Sequence, residues 1–261
     1  MIAMLRSELY RIVKSRFSWG YAIALTLMVL ATPFAVWLYQ VWPAFAETGF
    51  VELPDYPLPQ LQILGVSIVG GGLLSMGVAI IFAAMATDDF KAGFVKNLLQ
   101  VRGGRVSYAA SLMVTCLVFT AVSVAFAMVL ASAAFSVVGY EAAPSSFGDT
   151  VQWYVQVVLV VAAYASLAAL AAVVTRNEAA GVFAGLFLGG GAIESVLKMV
   201  LANIPGLPSA IRDCLDSYLA VDIATLSNGT LCDPMTYAQA GITFLVAAAL
   251  CVLVMRRMNL D

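Results

Sequence analysis

Residues 87–108, TDDFKAGFVKNLLQVRGGRVSY, form a charged island of 22 residues between two long apolar runs, Leu61 to Ala86 and Ser107 to Val138. The island carries four of the 13 Lys+Arg residues (Lys91, Lys96, Arg102, Arg105) and the adjacent acids Asp88 and Asp89. What surrounds it is too apolar for water. Hydrophobic residues make up 62% of the chain and charged residues 11%, with a mean hydropathy of +0.97. A soluble domain is close to half apolar and about one-quarter charged. The chain therefore reads as an integral membrane protein. A bilayer core about 30 Å thick takes about 20 apolar residues per helical span. Six runs meet that length: 19–42, 61–86, 107–138, 153–175, 179–202 and 237–255. The expected fold is one all-α integral membrane domain, 1–261, with six transmembrane helices. A transmembrane β-barrel would need short alternating segments instead.

The first run lacks a small-residue cleavage site and exceeds the length of a signal-peptide core, so it is expected to be a retained span. Lys and Arg then set the orientation. Arg6, Arg11, Lys14 and Arg16 precede the first span, four more lie in the island, Arg176 sits in the tight fourth connection, and Arg256 and Arg257 follow the last span. On a six-span path these eleven fall on one side, which places both termini and the island in the cytoplasm. The opposite side carries Glu47, Glu52, Asp55, Glu141, Asp149, Asp213, Asp216, Asp222 and Asp233 against one base, Arg212. Exclusion of positive charge accounts for that bias; an acidic outer mouth that gathers cations is the functional alternative.

Residues 1–17 read as an amphipathic interfacial helix. Ile2, Leu5, Leu9, Ile12 and Val13 recur at helical spacing, and Arg11 and Lys14 project from the other face, a pattern that suits an anionic leaflet. Four prolines, Pro43, Pro54, Pro57 and Pro59, make the first outer loop irregular. The second outer loop, 139–152, is short and polar. The third outer segment, 203–236, has turn signals at residues 203–208 and at Asn228-Gly. Helical character over Ser209 to Leu226 suggests a short helix dipping into the outer leaflet. Cys116 and Cys251 lie in spans and are expected to pack as small apolar residues. Cys214 and Cys232 share the third outer segment, on the oxidising side, where either a disulfide or two free thiols is consistent with the sequence.

The chain contains no histidine, which removes Ser-His and Cys-His nucleophiles and most zinc sites. It also contains no GxxxxGK[ST] phosphate loop, so it is not expected to hydrolyse a nucleotide alone; no catalytic residue, metal, bound cofactor or nucleic-acid partner is expected of this chain. Gly70, Gly71 and Gly72, and Gly189, Gly190 and Gly191, lie inside the second and fifth runs. There small residues permit close helix packing or flexing, and as a functional alternative they line a substrate path. Glu194 and Lys198 stand four apart on one helical face in the favourable order. At about 1.5 Å per residue they fall about 22 and 28 Å along the fifth run, in the outer part of the membrane. They are either a neutralised structural pair or part of the path.

Within the island, Asp88 and Asp89 suit a helix amino terminus, where carboxylates cap free N–H groups. Phe90, Phe94, Leu98 and Val101 follow on one face and Asp89, Lys96 and Gln100 on a polar side; Gly103-Gly104 gives the stop. Such a helix either lies on the membrane or docks into a groove on a cytosolic partner.

The amino-terminal segment LRSELYRIVKSRFSW and the segment DDFKAGFVKNLLQVRGGR, in a six-span layout, resemble the permease subunits of type-2 ABC exporters. The likeness is to the small bacterial permeases of the bacteriocin and lantibiotic immunity kind. It covers the whole chain in layout and is concentrated in residues 5–19 and 87–108. It implies that residues 87–106 hold a cytoplasmic coupling helix that sits on an ATP-binding subunit. Asp89, Phe90, Gly93, Lys96, Asn97 and Arg105 match the family pattern, and Asp88, Lys91, Phe94 and Leu98 complete the docking surface. Where the family often has a further basic residue after that arginine, this chain has Ser111. The resemblance further implies that residues 1–17 are the family's elbow helix and that 203–236 are its extracytoplasmic re-entrant region. By the same implication two ATPase subunits bring ATP and Mg, a second permease subunit completes a homo- or heterodimer, and the complex works in the lipid bilayer of a bacterial cytoplasmic membrane. The expected activity is export of an amphipathic peptide, drug or lipid-like molecule. An ATPase-independent secondary transporter or channel, and a non-transporting membrane scaffold or sensor, are the alternatives.

Overall fold

The computed structural model describes residues 2–42, 57–91, 104–189, 196, 199–200 and 218–257. Helix α1 (Ile2–Lys14) turns into α2 (Arg16–Val41) at Ser15. Ser15 has extended backbone, and its Oγ accepts from the Phe17 N–H at 3.2 Å, which supplies one of the donors a helix start leaves free. The Trp19 indole donates to the Val13 carbonyl at 3.1 Å across this corner. The turn therefore comes at Ser15, earlier than the expected boundary after residue 17. Of the expected membrane-facing stripe, Ile12 is buried in the main core while Val13 is 63% exposed, and Glu8 is buried and paired with Arg11 at 3.3 Å. Helix α1 packs against the helix Gly104–Val138, so it does more than rest on lipid.

The second run contains a break. It starts as α3 (Gln60–Leu64), widens into a π-helical turn over Gly65–Val69, tightens into a 3-10 turn over Gly70–Gly72 and resumes as α4 (Leu73–Lys91). Helices α5 (Gly104–Val138), α6 (Phe147–Thr175), α7 (Glu178–Gly189), α8 (Leu219–Ser227) and α9 (Met235–Arg257) complete the described residues. Asp88 and Asp89 lie in the last turn of α4, not at the start of a new helix as expected. The ladder of the span simply propagates past the apolar run, and exposure of Asp88 leaves the unfavourable dipole contact screened by water. Gly104, expected as a stop, is the first residue of α5. Helix α6 starts at Phe147, six residues before the expected boundary, because Ser146 caps it through the Asp149 N–H at 3.0 Å.

Five of these helical stretches, Arg16–Val41, Gln60–Asp88, Val106–Val138, Phe147–Thr175 and Met235–Arg257, are long and apolar enough to cross a membrane. In α2, Tyr21, Leu25, Val29, Pro33 and Val36 make one narrow buried stripe, and large apolar side chains such as Ile23, Leu27 and Phe34 stay exposed. Exposed Trp19 and Trp42 stand about 35 Å apart along it, the spacing of two aromatic belts. These features fit a multi-pass membrane protein. The expected fifth span, 179–202, is described as α7, of 12 residues, and at residues 196, 199 and 200; the remainder of that run lies outside the described residues.

Helix α6 is the centre. Of its most apolar stretch, 72% is buried, against 22% in α2 and in α9. Its small residues Ala163, Ala165, Ala168, Ala169 and Ala172 are buried, so α4, α7 and α9 approach it closely. At one end of the bundle lie α1, Asp88, the left-handed Arg176 of the α6–α7 turn, and Arg256 and Arg257; this is its basic end. At the other end the first two connections pair at Pro59 and Ala143. Gln60 N donates to Ala143 O at 2.9 Å and Ala143 N to Leu58 O at 2.9 Å.

Candidate functional site

The break in the second run is made by glycine. Gly71 (φ 74°) and Gly72 (φ 69°) hold left-handed backbone, which costs another L-residue about 1–2 kcal/mol. In hydrocarbon a broken helix needs substitutes for its lost hydrogen bonds. Ser75 supplies one: its hydroxyl lies 2.9 Å from Gly72 O and 2.7 Å from Gly189 O, one proton shared between two carbonyls. It thereby joins the restart of α4 to the described end of α7. Below this point, Gly181, Gly185 and Gly189 form one face of α7, four residues apart. A Cβ on Gly181 would lie 2.7 Å from Ala83 Cβ, one on Gly185 3.1 Å from Ala79 Cβ, and one on Gly189 3.0 Å from Met76 N. This is small-residue packing that brings two helices to near backbone contact. Gly189 therefore serves packing, while Gly71 and Gly72 serve the break.

Over the break sits a cap formed by α8 and residues 228–236. Gly65, in the π-helical turn, lies so close to α8 that a Cβ there would meet Leu226 O at 2.5 Å and Ser227 O at 2.6 Å. Gly229 (φ 72°), at the expected Asn228-Gly turn, presses on the backbone of Gln62. Helix α6 holds the cap from beneath. The Trp153 indole donates to Leu226 O at 3.1 Å. The Gln156 amide donates to Cys232 O at 2.9 Å while its oxygen accepts from Cys232 N at 3.1 Å. Asp222, buried, accepts from Thr236 Oγ1 at 2.9 Å through Oδ1, and its Oδ2 has no partner. Burial raises the Asp222 carboxyl above its ordinary value. Burial, with the nearby Asp222 charge, pushes the Cys232 thiol up to about 12. Among the described residues Cys232 is bridged to no other cysteine, and its Sγ lies 3.5 Å from Asp222 O; Cys214, its expected partner, lies outside the described residues.

The docking surface expected on residues 87–106 is described only at its edges. Asp88 is exposed; Asp89, Phe90 and Lys91 continue α4; Arg105 belongs to the first turn of α5. Gly93, Phe94, Lys96, Asn97 and Leu98 lie outside the described residues, as do Gly190, Gly191, Glu194 and Lys198 of the expected path. Among the described residues no group of three or more His, Cys, Asp or Glu side chains could hold a metal ion. Comparison with known proteins finds no family model and no curated protein that matches this chain.

Three features of the site stand outside the sequence motifs described above. The four-residue spacing of Gly181, Gly185 and Gly189 was a signal for close helix packing. Gln156 and Trp153 sit at a span boundary and gave no pattern beyond being polar or aromatic there. Ser75, one hydroxyl in an apolar run, gave none at all.

Proposed function

We propose that this chain is the permease subunit of a type-2 ABC exporter, a non-catalytic channel-forming part that pairs with a second permease subunit and with two separate ATPase subunits carrying Mg-ATP. The observation that carries this reading is the geometry of α4. One end of this rod, about 28 Å long for its 19 residues, runs into the charged island, and the other starts at the glycine break. Force applied to residues 87–106 by an ATPase that closes on ATP is delivered along α4 to a backbone already able to bend, beneath a cap held by hydrogen bonds. The glycine-lined meeting of α4 and α7 is then where access changes, and the basic side of the bundle faces the bacterial cytoplasm. An amphipathic peptide or drug-like molecule is the first choice of cargo, and a lipid-linked molecule the second.

A broken span also favours a second reading, an ion-coupled secondary transporter, in which half-helices bind substrate near the midplane. Against it, residues 65–75 offer only Ser67 and Ser75 as polar side chains and no carboxylate to carry a coupling proton or Na⁺. Copurification separates the two. The tagged chain is expected to bring down a Walker-type ATPase from its native membrane, and Phe94→Ala with Lys96→Glu is expected to abolish the association without loss of folded permease. Recovery of folded chain with no ATPase would sink the proposal.

A further inference from the structure

Between α2, α4 and α7 an open fissure of about 550 Å³ runs inward from the basic end of the bundle. Its walls are apolar: Tyr21 and Ala24 from α2, Met76 and Ile81 from α4, Leu186 from α7. Glycine hollows it out. A Cβ on Gly20 would meet nothing within 4 Å, and Tyr21 packs its ring onto bare Gly77 to form the floor. One charged side chain lines the fissure: Arg16, at its mouth. Arg16 is exposed and has no hydrogen-bond or ion-pair partner within the chain among the described residues.

We infer that this fissure is a binding site for one resident phospholipid with an anionic headgroup, its phosphate on Arg16 and one acyl chain lying against Gly20 and Gly77. Three observations select this occupant. The first is length: from Arg16 to Ala24, and from Ile81 back to Leu73, the walls extend about 12 Å, most of the roughly 15 Å depth of one leaflet's hydrocarbon. The second is shape: the fissure is a narrow apolar slot hollowed at Gly20, where a Cβ would meet nothing within 4 Å, and a single extended acyl chain fits it. The third is charge. A guanidinium at the polar end of an apolar slot presents a planar donor fork that matches a phosphate. A neighbouring fissure of about 420 Å³ between α1, α2 and α5 is as apolar and has no charged residue in its lining, so it offers no such match. The site depends on the chain lying in a bilayer and not on an ATPase partner.

The test is lipid retention. The full chain is exchanged into nanodiscs of mixed phosphatidylglycerol and phosphatidylcholine, released into mild detergent and examined by native mass spectrometry. Wild type is expected to keep about one lipid per chain, enriched in phosphatidylglycerol over its share in the disc. Gly20→Leu, which fills open space, is expected to keep about tenfold less. Arg16→Gln is expected to keep a lipid but with the headgroup ratio of the bulk. Should Gly20→Leu prove misfolded by melting or size exclusion, Ala24→Leu blocks the same slot from the same helix. Phosphatidylglycerol retention by folded blocked variants at the wild-type level would overturn the site. So would an unchanged headgroup preference in Arg16→Gln, or a wild type that keeps no lipid because a second copy covers the fissure. An absent ATPase would leave all of these readouts unmoved, so this site and the exporter proposal fail separately.

Discussion

Gly65→Ala tests whether the cap is seated on the break. The added methyl would lie 2.5 Å from Leu226 O, 2.6 Å from Ser227 O and 2.7 Å from Gly229 N. All three are backbone atoms, so no side chain can swing away, and either the π-helical turn or the cap must move. Overpacking of this kind costs about 1–3 kcal/mol. At about 2 kcal/mol the equilibrium between seated and lifted cap shifts roughly 30-fold. Cys232 reports on it, since its thiol is buried and lies against Asp222 in the seated state. In a Cys116→Ala, Cys214→Ser, Cys251→Ala background, a membrane-impermeant maleimide is expected to label Cys232 slowly, and Gly65→Ala is expected to raise that rate about 30-fold. When reseating outpaces labelling, the rate follows the population of the lifted state. The same chain with Cys214 restored reads the disulfide question directly, because a bridge would abolish labelling until reduction. A folded Gly65→Ala protein that labels within twofold of its parent would refute the seating argument.

Ser75→Ala removes the one hydroxyl shared by Gly72 O and Gly189 O. It is expected to destabilise the chain by about 1 kcal/mol in detergent unfolding, within the range of interhelical polar contacts in membranes, and Ser75→Thr should recover part of that loss. Asp222 titrates with the opposite sign to a salt-bridged carboxylate. Its folded value is raised from 3.8, so the folded state binds the proton more tightly and stability falls as pH rises through the raised value. Thermal unfolding is therefore expected to shift upward on acidification toward about pH 4. Asp222→Asn, which keeps an acceptor for Thr236, should flatten that dependence; an unchanged slope would remove Asp222 as its source.

Five membrane-length stretches were legible because each is a long apolar run, over which lipid favours backbone hydrogen-bonded within the segment. The breaks were not legible on the same grounds. Gly70, Gly71 and Gly72 have the hydropathy of a span and the composition of a packing motif, and only the contacts of Gly65 with α8 and of Ser75 with α7 decide between packing and bending. The opposite error occurred at Asp88 and Asp89. A local rule assigned them to a helix start, but the preceding helix was already formed and had no reason to end there. The cap was half legible. The Asn228-Gly turn and a helix ending near Leu226 follow from local residue types, while the anchors Trp153 and Gln156 act across more than 70 positions of sequence and leave no local trace. Within residues 87–106 the expectation of a docking helix rests on residue pattern, because residues 92–103 lie outside those described.

The break and the close packing below it work as one device only because of their order along α4. Gly181 and Gly185 bind the basic half of α4 to α7 almost backbone to backbone, so that half moves with α7 as a unit. Above Leu73 the chain is held by α8 and α6 instead, through Gly65, and through Trp153 and Gln156 acting on the cap. Between the two held parts stand two left-handed glycines and one shared hydroxyl. A displacement entering at Asp88 therefore meets stiff packing along α4 and its first compliant point at residues 70–72. A proline at this place would bend the helix too, but it would fix φ near −65°. Glycine leaves left-handed and right-handed backbone both accessible. That difference separates a permanent kink from a joint, and a joint is what the proposed permease requires.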